Sequence, residues 1–263
     1  MTENDRPLHL GFAETQATYT SASQSARVWT EAWAARELYC PACGEDRLDA
    51  YPNNAPVADL FCATCNEDYE LKSQKTRIGA KILDGAWATM LERLASSANP
   101  SLLVMRYDRD RQAVSDLMVV PKHFFTPDLI EKRKPLADTA RRAGWVGCNI
   151  LVGRVPESGR IHIVRDSQLT PRDTVLAKWR RTAFLRDKKA SARGWLVETM
   201  AQIEALGRAD FTIDEAYGFA PALSRLYPEN RHVREKIRQQ LQFLRDRGWL
   251  EFVGRGRYRL TNE

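Results

Sequence analysis

Nowhere does this 263-residue chain approach the ~18 consecutive apolar residues that a membrane-crossing helix requires. Its first twenty residues, MTENDRPLHLGFAETQATYT, lack the apolar centre of a secretory signal. Cysteine is scarce, at five residues. With neither an export signal nor a span, the expected setting is the cytoplasm, where thiols stay reduced. An acidic excess is also missing: 40 Lys and Arg stand against 34 Asp and Glu, a net charge of +6 that favours a polyanionic partner. No protein partner is evident. What is present is 43% hydrophobic content, enough for two cores at ~100 to 200 residues per domain.

Residues 1–20 are polar and without periodicity, and read as a tail. From about Ser21 the spacing of Val28, Trp29, Ala32 and Trp33 predicts a helix. Short strands are expected over 57–61 and 68–72. A second helix is expected through Ile82, Leu83, Ala86, Trp87, Met90, Leu91 and Leu94, ending before Asn99 and Pro100. Runs 102–107 and 114–120 read as a hairpin, and 148–152 and 160–164 as further strands. Helices around a central mixed sheet is the economical α/β arrangement for 21–187. A Lys- and Arg-rich connector is expected over 169–192. Then come helices over 194–206, 212–218 and 229–247 and two strands around Gly254-Arg255-Gly256. That is the order of a winged helix, assigned to 188–263.

Cys40 and Cys43, then Cys62 and Cys65, form two C-x2-C pairs separated by eighteen residues, the spacing of a four-thiolate structural Zn2+ site. Cys148 stands alone and reads as a core residue.

Asp59 is followed by Glu70-Leu71-Lys72, which matches the D-(x)n-E-x-K signature of PD-(D/E)XK nucleases. In a strand, residues i and i+2 point the same way, so Glu70 and Lys72 share a face. Asp59 on the neighbouring strand is then placed to meet Glu70 around one divalent ion, which prefers oxygen ligands. Lys72 is left to position water and balance charge at phosphorus. Cys62 and Cys65 lie between Asp59 and Glu70, so a zinc knuckle would pin the turn between the two catalytic strands. Glu31 and Glu37 on the first helix are candidates for one more carboxylate.

Two surfaces carry DNA-reading chemistry. On the last helix Arg231, Arg234, Glu235, Arg238 and Gln239 face away from an apolar stripe of Val233, Ile237, Leu241 and Leu244, and such side chains suit base edges in the major groove. Arg255 and Arg257 on the wing suit phosphate. Arg141 and Arg142 beside Trp145 suit a phosphate anchor with an aromatic that packs on a base methyl.

The runs NNAPVADLFCATC, ELKS, KPLADTARRAGWVGCNI and REKIRQQLQFLRDRGWLEFVGRGRYR together resemble the DpnI-type methyl-directed restriction endonucleases over nearly the whole chain. The resemblance implies Mg2+-dependent cleavage of double-stranded DNA at GATC sites with N6-methylated adenine. It implies Asp59, Glu70 and the Leu71 carbonyl as Mg2+ ligands, the four cysteines on Zn2+, and a C-terminal winged helix. Ala58 stands where the signature expects proline, a position with no part in metal binding. A zinc-ribbon and winged-helix regulator, and a repair endonuclease on the same fold, are the rival readings.

Overall fold

The run from Leu102 to Met105 is apolar at every position, the pattern of a strand buried on both faces, and in the computed structural model it lies in the central strand of a sheet. The structure describes residues 8–11, 22–52, 58–96 and 98–261. In chain order the strands are β1 (Asp49–Ala50), β2 (Leu60–Phe61), β3 (Asp68–Gln74), β4 (Ile82–Ala86), β5 (Ser101–Asp108), β6 (Ala113–Val120), β7 (Ile130–Lys132), β8 (Gly147–Ile150), β9 (Ile161–Arg165), β10 (Gln168–Leu169), β11 (Asp210–Thr212), β12 (Leu250–Gly254) and β13 (Arg257–Leu260). The helices are α1 (Ala22–Glu37), α2 (Trp87–Ser96), α3 (Arg172–Thr182), α4 (Ala190–Glu204), α5 (Ile213–Tyr217), α6 (Ala220–Leu226) and α7 (Val233–Asp246).

Seven strands form one sheet in the order β1-β2-β3-β5-β6-β9-β10, with β3 and β5 parallel and the other pairs antiparallel. A parallel pair needs a crossover, and β4 with α2 supplies it. One face of the sheet meets α1 and α3, burying Trp33, Leu38, Tyr69, Leu71, Leu103, Val175 and Trp179 together. The other face, with Leu102, Val104, Met118 and Val120, packs on Met90 and Leu94 of α2 and on a second sheet, β4-β8-β7. The same apolar cluster continues through Phe124 and Phe125 into Trp195 and Met200 of α4, Leu241 and Leu244 of α7, and Trp249. The mixed α/β core expected from the sequence is therefore present, followed by the helical winged-helix elements, whose third sheet is β11-β13-β12.

Several boundaries differ from expectation. The expected second helix begins five residues late, because Ile82 pairs with Ile150 in β4 and Leu83 points to solvent, 65% exposed. The apolar stripe from Ile82 to Leu94 thus joins a strand to a helix. The expected strand 57–61 shortens to Leu60–Phe61, and Val57 lies outside the described residues. The connector 169–192 contains α3, whose Val175, Leu176 and Trp179 fall on one buried face inside a basic stretch. The helix expected from Glu229 starts at Val233, so Arg231 sits in the turn before it. Of the expected polar tail, residues 8–11 are described and lie on the body, with Leu8 and Leu10 against the core and the His9 carbonyl accepting from Trp33 Nε1 at 2.9 Å.

The two cysteine pairs form matching turns. Cys40 N donates to Glu45 O and Gly44 N to Cys40 O; Cys62 N donates to Glu67 O and Asn66 N to Cys62 O. Each turn closes on a left-handed residue, Gly44 at φ +86° and Asn66 at φ +57°. The four sulfurs lie within 4.8 Å of one another, with Cys40 to Cys65 and Cys43 to Cys62 each at 3.6 Å. A tetrahedral Zn2+ with Zn–S bonds of ~2.3 Å sets sulfurs about 3.8 Å apart, so this donor set fits that ion. Without a cation, burial pushes the Cys40 thiol up to about 11, the condition that a bound cation reverses.

Two outcomes are expected. Cys43→Ser purified beside the unaltered protein should lose its zinc in metal analysis and unfold at lower urea, whereas Cys148→Ser should keep its zinc. Thr212, whose hydroxyl accepts from Glu215 N while Glu215 accepts from Thr212 N, caps α5; Thr212→Ala should lower the unfolding free energy by about 1 kcal/mol in urea titration.

Candidate active site

Strand β3 sets out three sets of groups. Tyr69 and Leu71 point into the core under α1, and Glu70 and Lys72 point to the α2 side. Its outer edge meets β2 and Asp59. Asp59 N donates to Tyr69 O at 2.9 Å, and Asp59 Oδ2 accepts from Leu71 N at 2.8 Å. The Asp59 side chain therefore serves as one more rung beside β2. A strand residue turns its N–H and C=O to the same edge, so the Leu71 carbonyl faces the Asp59 side.

The acid groups are each held by cations. Asp59 Oδ1 accepts from Arg27 Nη2 at 2.7 Å, and Arg27 also pairs with Glu31 one turn along α1. Glu31 and Asp59 share the Arg27 guanidinium; burial first, then the Asp59 charge, push the Glu31 pKa up against the pull of Arg27. Two carboxylates sharing one guanidinium make a site where oxygen donors converge and a further positive charge is favoured. Glu37, the other candidate on α1, lies elsewhere, paired with Arg36 at 2.7 Å.

On the α2 side Lys72 Nζ lies 2.6 Å from Glu70 Oε1 and 2.8 Å from Asp84 Oδ1. Glu70 Oε2 accepts from Arg93 Nη2 at 3.1 Å. Burial disfavours charge on Lys72, but Glu70 and Asp84 outweigh it and raise its pKa, so the lysine stays an ammonium. Burial likewise pushes Asp84 up, and Lys72 more than offsets it, leaving Asp84 lowered. Asp84 on β4 and Arg93 on α2 were not anticipated. A carboxylate inside the apolar run Ile82-Leu83-Asp84 was the available signal for the first. Arg93 sits on a helix whose polar face offers no comparable mark.

The structure brings Glu70 and Lys72 together and places Asp59 against the same strand, with Glu31 beside it. Cys148 is buried on β8 opposite Asp84, with burial pushing its thiol up to about 11, which suits a core residue rather than a nucleophile.

The expected DNA-reading residues lie on the surface. Arg234, Glu235, Arg238 and Gln239 are exposed on α7 opposite buried Ile237 and Leu241. Arg234 stacks over Tyr217 at 5.4 Å, and Gln239 accepts from Lys236 Nζ at 2.9 Å. Arg231 is exposed in the preceding turn, and Arg255 and Arg257 are exposed on the β12–β13 hairpin. Arg141 and Arg142 occupy an exposed turn that ends at Gly144, φ +77°. Trp145 is half-buried with its ring against Gly147, where a Cβ would stand 2.8 Å from the ring. Among the described residues no helix is long and apolar enough to cross a membrane.

Two comparisons with protein families match. A model described as DpnI, Dam-replacing family, covers residues 8–188, and one described as the Dam-replacing HTH domain covers residues 191–260. The first holds the cysteine cluster, Asp59, Glu70 and Lys72, and the second holds α7 and the hairpin. On that evidence the chain belongs to the Dam-replacing family, the DpnI-type restriction endonucleases, and carries the family's DNA-binding helix–turn–helix domain.

Proposed function

We propose that this protein hydrolyses double-stranded DNA at GATC sites whose adenine carries an N6-methyl group, with residues 21–187 cutting and residues 188–263 reading. The observation that carries the reading is the arrangement on β3: Glu70 and Lys72 on one side at 2.6 Å, and Asp59 fastened to the same strand through Leu71 N. Asp59, Glu70 and the Leu71 carbonyl would hold Mg2+, with Glu31 as a neighbouring donor, and all four are oxygen ligands of the kind that ion takes. When bound, Mg2+ supplies Lewis-acid stabilisation of charge on the scissile phosphate. Arg27 is half exposed, so water reaches its guanidinium and it can give way to the ion.

Lys72 is a cation at neutral pH and cannot serve as a proton acceptor. It orients an attacking water through its N–H groups and balances negative charge that grows on the phosphate oxygens. Asp84 and Glu70 hold its ammonium in place. Arg93 in turn steadies Glu70.

Recognition is divided between two surfaces. The exposed face of α7 meets base edges, and Arg255 and Arg257 meet phosphate. The turn with Arg141, Arg142 and Trp145 adds an aromatic to pack on the methyl group. One buried methyl is worth about 1 kcal/mol, roughly a fivefold preference. Two readers acting on the two methyls of a palindromic site multiply that preference.

Plasmid from an adenine-methylating host, incubated with the protein and Mg2+, should be cut at GATC, while plasmid from a non-methylating host stays intact. Equal cutting of both plasmids would point to a repair nuclease, and no cutting of either to a DNA-binding regulator. Asp59→Ala and Glu70→Ala should each slow cleavage at least ~100-fold while gel-shift affinity stays within a few fold, since these groups hold the ion rather than the DNA. Cleavage at the unaltered rate by either variant would remove that residue from the catalytic set. Lys72→Ala should be nearly as severe.

A further inference from the structure

Between Glu70 and Asp84 the chain carries Lys72, Lys75, Arg77 and Lys81 and no acidic residue. Lys72 is paired with Glu70 and Asp84, and Lys81 with Glu131. Arg77 is exposed and has no hydrogen bond or ion pair among the described residues, yet the loop that carries it is braced on both sides. Gln74 Nε2 donates to the carbonyls of Thr76 and Arg77 at 3.1 and 2.9 Å, and Gly153 N donates to Ala80 O at 2.9 Å. A Cβ at Gly153 would stand 2.9 Å from Ala80 Cβ, so a side chain there would push the loop away. A cation whose loop is fixed and whose charge is unspent is arranged for an outside partner.

Arg77 opens on a groove of about 710 Å3, lined also by Arg106, Asp116, Arg160, Arg165 and Asp166. The strand register sets this groove beside the candidate active site. Glu70, Lys72 and Gln74 alternate onto the α2 side of β3, and Leu102, Val104 and Arg106 alternate onto the same side of β5. Lys72 pairs with Val104 and Gln74 with Arg106. Arg106 therefore lies one alternation beyond Lys72 on the same face, about 7 Å further along the strands. Asp116 takes Arg106 at 3.1 Å and Asp166 N at 3.1 Å, and Glu157 is shared by Arg160 at 2.9 Å and Arg165 at 3.7 Å. Four guanidinium groups thus meet three carboxylates, Asp166 being the third, and Arg77 is the one without a partner.

We infer that this groove takes the sugar–phosphate backbone of the DNA beside the cut, with Arg77 donating to a phosphate neighbouring the scissile one. The identity of the ligand rests on the nuclease reading; the braced, positively charged groove does not. A planar guanidinium offers paired N–H groups that match the oxygens of a phosphate. The groove continues the face that presents Lys72, so a strand whose scissile phosphate lies over Lys72 runs in one direction past Arg106 to Arg77. Contacts of this kind fix the register of the duplex and carry no sequence information, which makes Arg77 a positioning residue and leaves base reading to other surfaces. A free oxyanion presents the same chemistry as a backbone phosphate, and the test separates the two.

The unaltered full-length protein is treated with phenylglyoxal, which modifies accessible guanidinium groups, in the absence of Mg2+. It is treated alone, with an adenine-methylated GATC duplex, and with inorganic phosphate at the same phosphate concentration, and mass spectrometry reads the modification of Arg77. The duplex should protect Arg77 several-fold, and inorganic phosphate should leave it reactive. Arg77→Ala and Arg77→Lys are then compared in cleavage as salt is varied. The slope of log(kcat/KM) against log salt should fall by about one in Arg77→Ala and be retained in Arg77→Lys, with kcat close to that of the unaltered protein in both. Arg77 equally reactive with and without duplex overturns the inference. So does protection by inorganic phosphate as strong as that by DNA, which would assign the groove to a free anion. An unchanged slope in Arg77→Ala means that the duplex only shades the groove, and overturns it as well. The protection step needs no cleavage: protection by the duplex in a protein that cuts nothing would sink the nuclease reading and leave the backbone contact standing.

Discussion

The pairing of β3 with β5 in parallel is the constraint on which the candidate active site depends. Parallel neighbours cannot be joined by a tight turn, so the chain must leave the sheet after Gln74 and return at Ser101. The excursion delivers β4 and α2 to one face of β3. Asp84 and Arg93 therefore arrive beside Lys72 and Glu70 as a consequence of topology. Before β3 the path is short and stapled: β2, the second cysteine turn and Glu67 bring the chain into β3 within a few residues. Asp59 is held by that short path, and the other side of the site by the long one.

The balance of charge around β3 has a chemical meaning. Each carboxylate has a cation, yet the two sides differ. Arg27 is half exposed and gives way easily, whereas Lys72 and Arg93 are largely buried and bind Glu70 and Asp84 at close range. Under the proposed reading, the outer side is where a guanidinium would give way to the ion. The inner side keeps its ammonium close to Glu70, the carboxylate proposed to share the ion with Asp59.

Much of this was legible because its signals are local. The cysteine spacing, the Glu-x-Lys alternation and the apolar stripe of α7 are each read within a few turns of chain. What stayed hidden depended on partners remote in sequence. Ile82, Leu83 and Ala86 continue the stripe of α2, and only pairing with β8 makes them a strand. The Val175, Leu176 and Trp179 face of α3 was masked by the Lys and Arg around it. Asp84, Arg93 and Arg27 gain their roles from crossovers that no window of sequence spans. The final helix was placed too early because Glu229, Asn230 and Arg231 have helix-compatible polarity but form the turn that leads into Val233.

Glu67 shows how such remote ties limit change. Its carboxylate is 2% exposed and is satisfied by Ser101 Oγ at 2.7 Å, Lys122 and Arg186. Its backbone carbonyl closes the second cysteine turn. Taking away one partner of a buried ion pair strands a charge, at a cost of about 3–5 kcal/mol, while replacing the whole set with well-fitted apolar groups is often neutral. Positions 67, 122 and 186 thus behave as a single heritable unit. Each is fragile when altered alone and interchangeable only as a trio, so a route between two working versions must pass through a destabilised intermediate or change all three together.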